Sequence, residues 1–305
     1  MISAPLRGVV PPVCTPLTAD HEVDVPSLER LLDFLLEAEV DGLFMLGSTS
    51  EVAFLPDAHR RTVLDVAVAR AAGRVPVLAG AIDMTTLRVL DHVRAAADSG
   101  CDAVVVTAPF YTRTHPAEID RHFRMIAGIL PVFAYDIPVA VHSKLPGDLL
   151  TAWAEDGVIA GLKDSSGDEA ALRSVILETR ETTAFSVLTG SETTVDTALR
   201  MGAHGVVPGL GNVDPHGYVR LYRHCLAGDW DAAAKEQERL IRLFRIVNAG
   251  APDRMGRGSS ALGAFKAALH LRGIIDCPVT APPQIPLEDK EIDVVRRRLA
   301  DAGLD

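Results

Sequence analysis

The chain predicts an α/β fold, a (β/α)8 TIM barrel with a C-terminal helical extension. Three observations predict it. Eight short apolar runs alternate with helical stretches, at spacings of roughly 20 to 35 residues, the length of a βα unit. Glycine repeatedly stands where those helices stop. After about residue 213 the alternation ceases and only helical patterning remains. The runs are 8–13, 43–46, 75–79, 103–106, 132–135, 158–163, 185–188 and 205–207. Their continuous apolarity suits strands buried on both faces, as in a parallel sheet. The first helix starts at Asp24 and Pro26, carries the stripe Leu28, Leu31, Leu32, Leu35 and Leu36, and stops before Gly42. The second runs from Pro56 to Gly73, and the third from Thr85 or Thr86 to Gly100. An open doubly wound sheet would share the alternation. No GxGxxG follows the first run, however; Pro11-Pro12-Val13-Cys14-Thr15-Pro16 stands there. Helical patterning then covers 218–226, 230–248, 260–271 and 288–302, with a proline-rich linker over 277–286. The expected organisation is a barrel core over 1–213, and over 214–305 the last barrel helix with an extension packed on the barrel.

Bulk composition narrows the function. Of 305 residues, 48% are hydrophobic and 23% charged, enough for a large core. A net charge of −11 argues against a nucleic-acid partner, which needs a basic face. Cys14, Cys101, Cys225 and Cys277 lack CxxC spacing, so neither a zinc cage nor a disulfide framework is expected. Pro5, Pro11 and Pro12 interrupt the N-terminal segment, which shows no leader pattern, and no apolar stretch approaches 18 residues. The expectation is a reduced, cytoplasmic protein without a membrane partner.

In a parallel barrel the reactive groups sit where strands end and βα loops begin. Lys163 ends the sixth run, behind Val158-Ile159-Ala160-Gly161-Leu162, in a chain with only five lysines. Burial disfavours a charged ammonium, and a shielded free amine attacks ketones. A surface lysine snorkelling past a strand end is the plainer reading of the same residue. A period-two count groups Ile159, Gly161 and Lys163 on one face of the sixth run and Phe133 with Tyr135 on one face of the fifth, so both functional side chains are expected to point into the barrel mouth from neighbouring strands. Gly161 is expected to leave open space beneath the lysine. Gly47-Ser48-Thr49-Ser50-Glu51 ends the second run. Its N–H groups with the Ser48 and Thr49 hydroxyls suit a carboxylate, although the same residues suit a helix cap.

These motifs together resemble the dihydrodipicolinate synthase / N-acetylneuraminate lyase family of class I aldolases and lyases. The resemblance rests on Gly47-Ser48-Thr49-Ser50-Glu51, Tyr135-Asp136-Ile137-Pro138 and Gly161-Leu162-Lys163-Asp164. Val106-Thr107-Ala108-Pro109-Phe110-Tyr111 and Gly205-Val206-Val207-Pro208 add to it. It implies a Schiff base between Lys163 and a 2-oxo acid such as pyruvate. Tyr135 would act as general acid and base, with Ser48 and Tyr111 completing a proton relay. Tyr111 would serve the site of a neighbouring subunit. Thr49 with the N–H groups of the Gly47 loop would hold the substrate carboxylate, and Gly190 and the Val207 carbonyl would line the pocket. The resemblance implies no cofactor and no metal, and a homotetramer built as a dimer of dimers.

Departures from the family pattern shape the substrate expectation. True dihydrodipicolinate synthases carry an arginine where this chain has Ala140, and alanine supplies no bidentate fork. His142, Lys144 and Arg113 are the candidate substitutes. Ser50 replaces a customary glycine, which is expected to alter the loop's backbone angles. Gly190-Ser191-Glu192 is similar to the sugar-acid lyases. The expected activity is therefore cleavage or formation of a 2-keto-3-deoxy sugar acid or related hydroxy-2-oxo acid. The alternative is 4-hydroxy-tetrahydrodipicolinate synthase, condensing pyruvate with aspartate semialdehyde; a dehydratase outcome shares the same imine. A silent 2-oxo-acid-binding member is the non-enzyme alternative. A metal-dependent barrel enzyme is disfavoured because no HxH or HExxH spacing occurs.

Overall fold

The computed structural model describes residues 5–304, so the ends of the two expected segments (1–4 and 305) lie outside the described residues. Eight strands alternate with helices: β1 (Gly8–Val9), α1 (Val25–Glu37), β2 (Leu43–Met45), α2 (Asp57–Ala71), β3 (Val77–Gly80), α3 (Thr86–Ser99), β4 (Ala103–Thr107), α4 (Pro116–Ile126) and β5 (Val132–Asp136). Then follow α5 (Pro138–Val141), α6 (Gly147–Glu155), β6 (Gly161–Asp164), α7 (Glu169–Glu178), β7 (Ser186–Thr189), α8 (Val195–Met201) and β8 (Gly205–Val206). The remaining helices are α9 (Pro215–Leu226), α10 (Trp230–Phe244), α11 (Arg257–Leu271) and α12 (Asp289–Asp301). The strands form one parallel sheet in the order β1-β8-β7-β6-β5-β4-β3-β2. Its two ends meet through a parallel bridge between Pro12 and Phe44, with Phe44 N–H donating to Pro11 O at 3.0 Å and Val13 N–H to Phe44 O at 2.8 Å. The barrel is thereby closed.

Local sequence explains both the agreements and the shifts. Asp24 caps α1, accepting from Ser27 N–H, and the stripe Leu28, Leu31, Leu32 and Leu35 is fully buried. Each such leucine contributes about 1.5–3 kcal/mol of burial. β1 is shorter than the expected run 8–13, because Pro11 and Pro12 have no N–H to give a ladder. β6 begins at Gly161 and not at Val158, because the N–H groups of Val158 and Ile159 turn back to Trp153 O at the end of α6, at 2.8 and 3.3 Å. β5, β6 and β7 each run one residue past the expected end.

The space expected beneath Lys163 is absent. Gly161 pairs with Phe133 across the β5–β6 ladder, and a Cβ at Gly161 would lie 2.4 Å from the Phe133 ring. The missing side chain makes room for that ring and leaves no void.

One buried histidine carries a pH dependence. His122 on α4 is 1% exposed, and its Nδ1 shares a 3.0 Å hydrogen bond with the Thr86 hydroxyl. Burial pushes its imidazole down from 6.5 to about 4. The unfolded chain therefore takes a proton near pH 6.5 that the fold refuses until about pH 4. The stability from the neutral ring is complete above pH 6.5 and declines as pH falls toward 4. Urea unfolding at pH 5 against pH 8 is expected to show a loss of about 2 kcal/mol that His122→Gln lacks. Equal pH dependence in the two proteins would contradict this assignment.

Candidate active site

Two strand ends supply the central pair. In the β5–β6 ladder Tyr135 stands opposite Lys163, and laterally paired residues project to the same face of a sheet. Lys163 is 5% exposed, with Nζ 3.9 Å from the centre of the Tyr135 ring and 4.9 Å from that of Phe44. The two rings meet edge to face, 6.4 Å apart at 82°. Among the described residues Nζ makes no hydrogen bond or ion pair, so the amine is uncommitted inside an aromatic cup. Thr107 pairs with Tyr135 on the other side, and its buried hydroxyl has no partner among the described residues.

The loop after β2 lies against the same cup. A Cβ at Gly47 would fall 2.7 Å from the Phe44 ring, so only glycine lets this backbone pack on the wall that faces Lys163. The N–H groups of Ser48 and Thr49 have no partner among the described residues, and neither does either hydroxyl. Four donors thus remain available within two residues, a cradle suited to a carboxylate. Ser50 takes a different part. Its buried hydroxyl accepts from Gly47 N–H at 3.1 Å and donates to Val13 O, while its carbonyl accepts from Thr15 at 2.9 Å. The left-handed residues of the loop are Leu46 (φ 55°) and Glu51 (φ 63°); Ser50 is not among them. Neither Thr49 nor Ser50 caps a helix; the residue before the short 3-10 turn Val52–Phe54 is Glu51, and its side chain makes no cap bond.

The remaining candidates divide. Gly190 N–H donates to Asp164 O at 2.6 Å, holding the ends of β6 and β7 together. Val207 N–H donates to Thr189 O at 2.8 Å, and its own carbonyl is unpartnered among the described residues. Glu192 accepts from Gly209 N–H at 3.0 Å. Burial pushes its carboxyl up, opposed by that N–H and by the charge of Lys163. Tyr111 is not brought to Lys163 within the chain. It is 88% exposed, and its φ of 80° lies in the left-handed region that costs a bulky residue about 1–3 kcal/mol.

Of the substitutes considered for Ala140, Lys144 is taken: its ammonium pairs with the fully buried Asp136. Arg113 and His142 are exposed and border a cavity of about 760 Å³ between the loops after β4 and β5. Two features escaped sequence reasoning. Phe44, one of the apolar residues of the second run, carries no signal of its own, and its place against Lys163 follows from barrel closure. Lys266, buried on α11 against Glu51, had one available signal: it is a lone charge in the small, apolar stretch Gly263-Ala264-Phe265-Lys266-Ala267-Ala268-Leu269.

Among the described residues no group of three or more His, Cys, Asp or Glu is arranged to hold a metal ion, and no helix is long and apolar enough to cross a membrane. Comparison with known proteins gives a consistent picture. The model of the dihydrodipicolinate synthetase family matches residues 5–302. A 4-hydroxy-tetrahydrodipicolinate synthase of Methanosphaerula palustris is 32% identical over 279 residues, covering 90% of this chain and 92% of that protein. An uncharacterized DapA-like lyase of Halobacterium salinarum is 32% identical over 301 residues, covering 98% and 95%. Among solved structures, the Bacteroides thetaiotaomicron dihydrodipicolinate synthase superposes with a TM-score of 0.92 at 31% identity, covering 98% of this chain and all (100%) of that one. YagE of E. coli K12, solved in complex with pyruvate, superposes with a TM-score of 0.91 at 29% identity, covering 98% and 99%.

Proposed function

This chain belongs to the dihydrodipicolinate synthetase family, and from that premise we propose that it is a lyase that captures a 2-oxo acid as a Schiff base on Lys163. The observation that carries the reading is the uncommitted amine of Lys163, buried beside the Tyr135 ring at the ends of paired strands. Nζ adds to the ketone carbon, and the carbinolamine loses water to leave the imine. The protonated imine then accepts the electron pair released when the neighbouring carbon loses a proton or its bond to the next carbon. Tyr135 delivers and removes the protons of these steps. Thr49 and the free N–H groups of Ser48 and Thr49 hold the carboxylate, with the Val207 carbonyl and Gly190 lining the pocket. Ser48 and Tyr111 extend the proton relay. The exposure and backbone strain of Tyr111 support its use at the site of a second copy, in a homotetramer built as a dimer of dimers. We read residues 1–213 as the catalytic barrel, 214–305 as its last helix and extension, and the cytoplasm as its location.

The substrate reading is a 2-keto-3-deoxy sugar acid or related hydroxy-2-oxo acid. Ala140 offers no fork for a second carboxylate and Lys144 is committed to Asp136, whereas Glu192, which lines a cavity with Gly190 and Ser191 beyond the end of β7, suits substrate hydroxyls. A pair of assays tests this. Cleavage of 2-keto-3-deoxygluconate to pyruvate and an aldehyde is expected to outpace condensation of pyruvate with aspartate semialdehyde. The reverse order would assign the synthase reaction through a substituted clamp.

A further inference from the structure

One buried ion pair ties the C-terminal extension to the loop assigned to the substrate carboxylate. Lys266 lies midway along α11 with a side chain 1% exposed, and its ammonium meets the carboxylate of Glu51, which is fully buried. Lys266 also donates to Val279 O at 2.8 Å. Glu51 Oε2 accepts two further bonds, from Ala281 N–H at 2.6 Å and from the Gln284 side chain at 2.9 Å. Every partner of the Glu51 carboxylate among the described residues thus comes from α11 or the proline-rich segment behind it. Desolvating two ions costs several kcal/mol each, and a well-packed apolar pair often stabilises a fold as well or better. Stability alone is therefore a weak reason for this arrangement. Geometry is a stronger one. Glu51 sits in the left-handed region at φ 63°, unfavourable for a residue with a long side chain. Held there, its N–H donates to Ser48 O at 3.1 Å and closes the turn that leaves the N–H groups of Ser48 and Thr49 free.

We propose that the Glu51–Lys266 pair is the positioning element of the carboxylate cradle, through which the C-terminal extension sets the affinity for the acid group of the substrate. The proposal rests on the Schiff-base reading above. Neither residue touches the reacting atoms. Without the pair Glu51 leaves its strained conformation, the bond to Ser48 O is lost, and the donors at Ser48 and Thr49 no longer converge. Binding through the carboxylate suffers; imine formation on Lys163 does not.

Borohydride trapping on Lys163 with two ketones separates these effects. Pyruvate carries the carboxylate and acetone does not. The variant of choice is the neutral double substitution Glu51→Gln with Lys266→Met, which leaves no buried charge alone. Gln284→Met, which removes one partner of Glu51 and unpairs no charge, guards against a folding failure. In the double variant the pyruvate concentration for half-maximal trapping is expected to rise about 10-fold or more, the size of one lost charge-assisted hydrogen bond. Trapping by acetone is expected to keep its wild-type rate, and Gln284→Met to shift pyruvate in the same direction by less. Equal losses with both ketones would reduce the pair to a merely structural role, and an unchanged pyruvate dependence in the folded variants would overturn the proposal outright. Failure of the wild-type protein to trap either ketone would instead sink the Schiff-base reading, and this proposal with it.

Discussion

Lys163→Met is expected to lower turnover roughly 10⁴-fold or more, the scale of losing a covalent nucleophile, equivalent to about 5.5 kcal/mol of barrier or more. Methionine nearly matches the stem of lysine and removes only the ammonium that lies over the Tyr135 and Phe44 rings, so the thermal midpoint should hold. The informative companion is Lys163→Arg. If Lys163 served only as a buried positive charge drawing in an acid substrate, arginine would restore most of the rate. A guanidinium cannot form the imine, so arginine is expected to be as inactive as methionine. Steady-state kinetics on the two variants, with unfolding curves to show that both are folded, decides between these roles.

The second large effect is at Tyr135. Phenylalanine keeps the ring that walls Lys163 and removes only the hydroxyl. Turnover is expected to fall about 10²–10⁴-fold, the usual contribution of a positioned general acid and base. Because the role proposed for the phenol is on the reacting atoms and not on the carboxylate, kcat should carry the loss while KM changes little. Imine trapping in this variant should still reach completion, but slowly. Near-wild-type rates would remove Tyr135 from the proton path.

The placing of these two residues at the ends of neighbouring strands is legible in the sequence because its signals are local. An apolar run ending in a lysine, in a chain with five lysines, and a tyrosine ending the preceding run both survive errors of two or three residues in strand bounds. The barrel was legible for the same reason: glycine at Gly100 and the leucine stripe of α1 mark helix limits without knowledge of neighbours. What was not legible depends on lateral register. The void expected under Lys163 is filled by Phe133, because β5 and β6 pair Phe133 with Gly161. Counting along one strand cannot reveal a ring arriving from the next. Phe44 reaches the lysine only because the barrel closes between β1 and β2. Glu51 and Lys266 are far apart in sequence and meet because α11 packs against the loop after β2. Lys144, proposed from sequence as a carboxylate grip, is drawn away by an aspartate one residue beyond Tyr135.

The proposed chemistry turns on a covalent bond at one nitrogen, and one measurement addresses it directly. The protein is incubated with pyruvate, reduced with borohydride, digested, and the modified peptide located by mass spectrometry. The expected result is a single adduct, with the mass of pyruvate less water plus two hydrogens, on Lys163. An unmodified Lys163, or an adduct confined to exposed lysines such as Lys290, would contradict it.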